Sequence, residues 1–282
     1  MKVNEELRFI QDEINRLAYD TFAGISGYEE YSVPCIPRIS PQYLKNRFVF
    51  LAQETNTWYR ERRFQYFSSS KYEDLEKILY EERYDDFCRW ASDDYSGSLW
   101  EFARTLYEEK ILPGPLHEDK YLTHCWMNLF CIEKCKDKKD CFGRPSQVKE
   151  IADEVMNVQK KLVFKILTVI KPKIVLATTG SANDFYLLKN ALGTDCHQAR
   201  FKTVDEKGIY KIEHLAEIEI NDEKNPLHGV KILRTYHPNF FSKRINRKDK
   251  MIEIGKRVAD MGLSKADYYK QVLFETLRKW TS

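Results

Sequence analysis

Four short apolar runs organise the chain, the first and last of them ending in polar, hydrogen-bonding residues: FVFLAQETNTW (Phe48 to Trp58), THCWMNLFC (Thr123 to Cys131), KPKIVLATTG (Lys171 to Gly180) and KILRTYHPNFF (Lys231 to Phe241). An uninterrupted apolar run of this length, bounded by turn-forming residues, predicts a strand buried on both faces. Between the runs the apolar spacing changes to that of helices. Leu75, Ile78, Leu79 and Trp90 mark one stretch, and Ile151, Val155, Val158, Leu162, Ile166 and Ile170 mark another. SANDFYLLKNALG follows the third run directly, with Ser181 or Asn183 as its N-cap and Gly193 as its stop. Strands alternating with long helices predict a three-layer α/β/α arrangement around a central, mostly parallel four-stranded sheet.

IYKIEHLAEIEI (Ile209 to Ile220) alternates apolar and polar residues, as a strand with one wet face does. The turn Asn225-Pro-Leu-His-Gly229 leads from it into the last core strand. Two closing helices are expected over Lys248 to Met261 and Ser264 to Trp280, the second with Tyr269, Val272, Leu273 and Leu277 on one face. Residues 59–121 carry helical periodicity with many acids and aromatics, and read as an insertion over the carboxyl edge of the sheet. The expectation is therefore one domain over 1–282, with that insertion and C-terminal helices over 248–280.

Composition narrows the function classes. The charged fraction is 32% and the net charge only +3, values of a soluble globular protein. No apolar stretch approaches the ~20 residues that span a bilayer. The N-terminus, MKVNEELRFIQDEINRL, mixes acids with apolar residues at helical spacing and is unlike a signal peptide. A cytoplasmic location with no membrane partner is the expectation. Seven cysteines, an odd number, argue for reduced thiols. Cys125, Cys131, Cys135 and Cys141 lie close together but lack the Cys-x-x-Cys knuckle of structural zinc sites, so they read as buried or loop thiols with no metal and no other cofactor.

In open α/β sheets ligands bind at the carboxyl ends of the strands. The polar residues ending the first and last runs, Gln53, Glu54, Asn56 and His237, are thus candidates for one pocket. Ordinary structural readings stand beside this: Glu54 as an acid near a helix start, His237 as a strand cap before proline, Asn128 as a buried amide with a backbone partner. Trp58 stacks on a ligand or fills the core of the insertion.

In this order and strand context, AQETN (Ala52 to Asn56), MNL (Met127 to Leu129) and HPN (His237 to Asn239) resemble the three motifs of the uracil-DNA glycosylase superfamily, over about a third of the chain. The resemblance implies a monofunctional DNA glycosylase that flips a base out of DNA and leaves an abasic site. Glu54 would orient the attacking water, with Asn56 beside it, and His237 would donate to the base oxygen. Gln53, Asn128 and Trp58 would contact the base. Phe240 and Phe241 stand where the family inserts an apolar side chain into the duplex. Lys243, Arg244 and Arg247, continued by Lys248 and Lys250, would neutralise phosphates, as would Arg60, Arg62 and Arg63.

The departures from the family pattern point to the substrate. Ala52 replaces the usual glycine, Thr55 the usual proline, and Asn56 stands where uracil-specific members carry a tyrosine that excludes C5 substituents. Its loss implies a C5-modified pyrimidine, for instance the hydroxymethylated or glycosylated cytosine of some phage DNA, in a repair or anti-phage role. Uracil repair, or a catalytically weak relative that binds modified or single-stranded DNA, are the alternatives. No obligatory protein partner is evident.

Overall fold

The computed structural model describes residues 2–54, 64–81, 98–118, 121–134, 145, 148–240 and 252–282. Its centre is a six-stranded mixed sheet. The strands are β1 (Phe48–Glu54), β2 (Cys125–Phe130), β3 (Ile174–Ala177), β4 (Ala199–Thr203), β5 (Leu215–Ile220) and β6 (Lys231–Thr235), in the order β2-β1-β3-β6-β5-β4. The four runs read from the sequence form the parallel half, β2, β1, β3 and β6. The four-stranded expectation is corrected by an antiparallel hairpin, β4 and β5, added beside β6. β5 was expected from its alternation, and Glu217 and Glu219 do face outward between buried Leu215, Ile218 and Ile220. The strand is shorter than 209–220 because Asp205 takes the N–H groups of Ile209 and Tyr210, which turns that stretch into a loop.

The register explains the burial. Phe50 lies opposite Trp126 and stacks on it at 4.7 Å. Trp100 and Phe102 of α4 pack on this pair, and Phe274 of α8 stacks on Phe102. In chain order the helices are α1 (Lys2–Phe22), α2 (Pro41–Asn46), α3 (Phe64–Ser68), α4 (Ser98–Glu108), α5 (Lys149–Gln159), α6 (Leu162–Ile170), α7 (Ile252–Ala259) and α8 (Lys265–Thr281). Leu51 and Met127 alternate with Phe50 and Trp126, so they point to the opposite face of the sheet. They are equally buried, and α5 and α6 both touch β2. Both faces are therefore covered.

Three helical expectations change. The periodic stretch from Ile151 to Ile170 is two helices, broken where Lys160 and Lys161 both take positive φ. The stretch after Gly180 runs as a 3₁₀ turn (Ser181–Asn183), an α turn (Asp184–Tyr186) and a π turn (Leu187–Ala191). Asn183 makes no cap there, and its amide instead donates back to the Thr179 carbonyl at 2.8 Å. Within 59–121, α4 lies against a sheet face and not over the carboxyl edge, because its aromatic stripe is needed to cover Phe50 and Trp126.

Candidate active site

The register sets the geometry of the edge. Ala52 pairs with Asn128, Leu51 with Ala177, and Ala177 with Arg234. The carboxyl ends of β1, β2, β3 and β6 therefore finish side by side, so that Glu54 ends β1 and HPN follows β6 at the same edge. The chain beyond β3 is drawn across it: Thr178 N–H donates to Leu51 O at 2.8 Å, and Gly180 N–H to Thr235 O at 2.9 Å.

Gln53 fixes this turn. Its Nε2 donates to the Thr179 carbonyl at 2.6 Å. Gly180 has φ +70°, and a Cβ there would stand 3.3 Å from the Tyr236 ring and 3.9 Å from Gln53 Nε2. The turn thus lies between Gln53 on one side and the residue before His237 on the other. Only glycine meets both demands, positive φ and close approach.

Tyr236 and His237 are held in turn. The Tyr269 hydroxyl of α8 donates to His214 O at 2.8 Å, accepts from Tyr236 N–H at 3.3 Å and lies 2.7 Å from Thr235 Oγ1. Burial pushes its pKa up, so it stays a neutral phenol. His237 is half-buried, and its Nδ1 accepts the N–H of Asn239 at 3.2 Å. In the neutral ring the proton then sits on Nε2, leaving that nitrogen the donor.

Asn128 is buried at 5% exposure in β2, and its Nδ2 donates to Cys35 Sγ at 3.3 Å. Burial raises the Cys35 pKa to about 12, which keeps this a thiol partner. Asn128 thus sits two residues inside the carboxyl end of β2 and is braced by the 31–36 segment. The wedge expectation for Phe240 is corrected: it is 7% exposed and stacks on Tyr236 at 4.0 Å. An aromatic this buried supports the loop from below and does not project from it.

Glu54 ends β1 at this edge, though its side chain falls outside the description. Asn56, Trp58, Phe241, Lys243, Arg244 and Arg247 lie outside the described residues, as do Arg60, Arg62, Arg63, Lys248, Lys250, Cys135 and Cys141. Cys125 and Cys131 are buried thiols whose pKa values burial raises. Among the described residues no group of three His, Cys, Asp or Glu side chains is arranged to hold a metal ion, and no helix is long and apolar enough to cross a membrane.

Sequence reasoning missed Gly180, Tyr236, Tyr269 and Cys35. Gly180 carried a usable signal, a glycine closing a strand beside a polar strand end. No family model matches the chain, and no curated protein is similar to it.

Proposed function

We propose that this chain is a divergent member of the uracil-DNA glycosylase superfamily, a monofunctional DNA glycosylase that hydrolytically excises a modified pyrimidine and leaves an abasic site. The observation that carries the reading is that a strand ending in an acid, Glu54, and a strand followed by an oriented histidine, His237, finish at one edge of the sheet. Ala52, Gln53 and Glu54 close β1 in the middle of the parallel sheet, and HPN leaves β6 at the same edge with His237 Nδ1 accepting a backbone N–H.

The chemistry asks for this pair. Breaking the N-glycosidic bond builds positive charge on the deoxyribose and negative charge on the departing base, with water as the nucleophile. Glu54 orients the water and opposes the cationic sugar. His237 donates from Nε2 to the base oxygen as charge accumulates there. A donor fixed in advance is worth more than one that must reorient in the transition state.

Gln53 and Asn128 donate to Thr179 O and Cys35 Sγ, so any base contact they make is through amides already fixed in orientation. Asn56 and Trp58 complete the base pocket in this reading. With Phe240 buried, the apolar insertion falls to Phe241, and Lys243, Arg244 and Arg247 follow as a phosphate track.

The test is direct. Purified protein is incubated with duplexes carrying uracil, 5-hydroxymethylcytosine or its glucosylated form, then treated with alkali to cleave abasic sites. Cleavage at the modified position is the expected result. Tight, salt-dependent binding without cleavage would instead identify a catalytically weak DNA-binding relative, and neither cleavage nor binding would overturn the reading.

A further inference from the structure

We infer that the cavity between the 24–29 loop and α3 is a subsite for a single sugar carried by the substrate base. The inference rests on the reading of the carboxyl edge as a base-excision site and names what is attached to the base.

The cavity is tied by hydrogen bonds to the stretch that leaves that edge. Phe64 at the start of α3 donates its N–H to Tyr31 O at 2.9 Å, and Tyr31 bridges antiparallel to Lys134, in the stretch that leaves the carboxyl end of β2. Ser32 N–H donates to Glu133 O at 2.9 Å beside it, and Gly24 N–H donates to Ser68 O at 2.9 Å, which closes the loop over α3.

Size, shape and chemistry each restrict the occupant. The volume is about 200 Å³, below the ~300–1,000 Å³ of pockets that take drug-sized ligands, which restricts the occupant to one small ring. Tyr28 is the partly exposed ring of the lining, and buried Phe64 backs it edge to face, 5.8 Å away at 61°. One exposed ring makes a single wall and not the parallel slot that grips a flat base. A puckered pyranose, with C–H groups on one side and hydroxyls around its rim, suits a wall of this kind.

The rest of the lining answers those hydroxyls. Ser69 Oγ donates to Gln65 O at 2.8 Å and Ser68 Oγ to the same carbonyl at 3.3 Å, so both oxygens keep lone pairs to accept from a ligand hydroxyl. The Gln65 amide offers donor and acceptor together. The Glu29 carboxylate, oriented by Gly27 N–H at 3.2 Å, is an acceptor suited to neighbouring hydroxyls. An apolar wall with a few oriented polar groups is the usual make-up of a small-ligand site.

Two measurements test the subsite and keep it separate from the excision reading. In the first, isotope-labelled full-length protein is titrated with methyl α- or β-glucopyranoside alone, without DNA. Saturable shifts at Gly24, Ser68 and Ser69 are expected with one anomer, and they should vanish in Ser69→Trp, whose exposed position tolerates a ring that fills the cavity. In the second, the ratio of affinities for glucosylated and unglucosylated 5-hydroxymethylcytosine duplexes is measured by anisotropy. Wild type should favour the glucosylated duplex by roughly tenfold or more, and Ser69→Trp and Glu29→Gln should each lower the ratio. No glucoside shift at the cavity overturns the subsite. A shift with an affinity ratio that neither variant changes overturns its assignment to the substrate. Shifts and a variant-sensitive ratio without excision of any base leave the subsite standing and remove the glycosylase reading instead.

Discussion

The Tyr236 ring lies 3.3 Å from where a Cβ would stand on Gly180, while Gln53 Nε2 closes the other side at 3.9 Å. This contact joins the turn after β3 to the residue that precedes His237. Gly180→Ala would force a side chain into positive φ, which costs about 1–2 kcal/mol by itself, and press it against the ring. The expected result is a loss of about 1–3 kcal/mol in urea unfolding together with a fall in excision, because Tyr236 can yield only by moving its neighbour. Full stability with full activity would show that the turn has slack.

How much of this could be seen in the sequence follows from burial. The parallel strands were legible because cover on both faces leaves uninterrupted apolar runs: Val49 to Ala52 and Cys125 to Phe130 are all buried. β4 was not, because an edge strand reading Ala-Arg-Phe-Lys-Thr has no apolar run: only Ala199 is buried, Phe201 is partly covered, and the strand is held mainly by its pairing with β5. The break at Lys160 and Lys161 is hidden because apolar periodicity runs straight through it. At the site, Gln53 and His237 stood out as polar ends of apolar runs. Tyr269 and Cys35 did not, since their roles arise only from contacts with residues distant in sequence. Phe240 was ambiguous by nature, because an aromatic in a loop reads equally as wedge or support until its neighbour Tyr236 is known.

Glu54→Gln and His237→Ala should each lower base excision by about two orders of magnitude or more while leaving folding and DNA binding nearly unchanged. Both residues are proposed to act on charge that develops in the transition state, so turnover should fall and ground-state affinity should not. Single-turnover excision rates beside anisotropy binding curves separate the two effects. Near-normal turnover in either variant removes that residue from the mechanism.

At the other end of the sheet, His124 is buried among Phe48, Phe50 and Trp126, with Nδ1 2.6 Å from the Tyr107 hydroxyl and no hydrogen-bond partner for Nε2 among the described residues. Burial lowers its pKa from 6.5 to about 3. The folded state thus keeps the ring neutral, while the unfolded chain binds a proton below about 6.5. This contribution to stability is present above that pH and is lost as pH falls toward 3, at about 1.4 kcal/mol per unit. His124→Phe should cost ~1–2 kcal/mol at pH 7, by leaving Tyr107 short of a partner. Its urea midpoint should nevertheless decline less steeply than that of wild type between pH 6.5 and 4. Parallel declines would assign the acid sensitivity to other groups.

The base preference is the last expectation, and it depends on Asn56. In the proposed reading Asn56 stands where uracil-specific members of the superfamily carry a tyrosine that closes the space beside C5. An asparagine there would open that space and add a group that can hydrogen-bond a substituent. Pockets discriminate strongly when the wrong substrate clashes or leaves a polar group unpaired, so one side chain here is worth about 1–3 kcal/mol. Wild type should therefore excise C5-modified pyrimidines as well as or better than uracil, and Asn56→Tyr should move the preference toward the smaller base by roughly tenfold or more. Two differently labelled oligonucleotides competing in one tube measure the ratio without error from protein concentration. Robust uracil excision with no action on any C5-modified pyrimidine would refute the open-gate reading and leave an ordinary uracil-repair enzyme in its place.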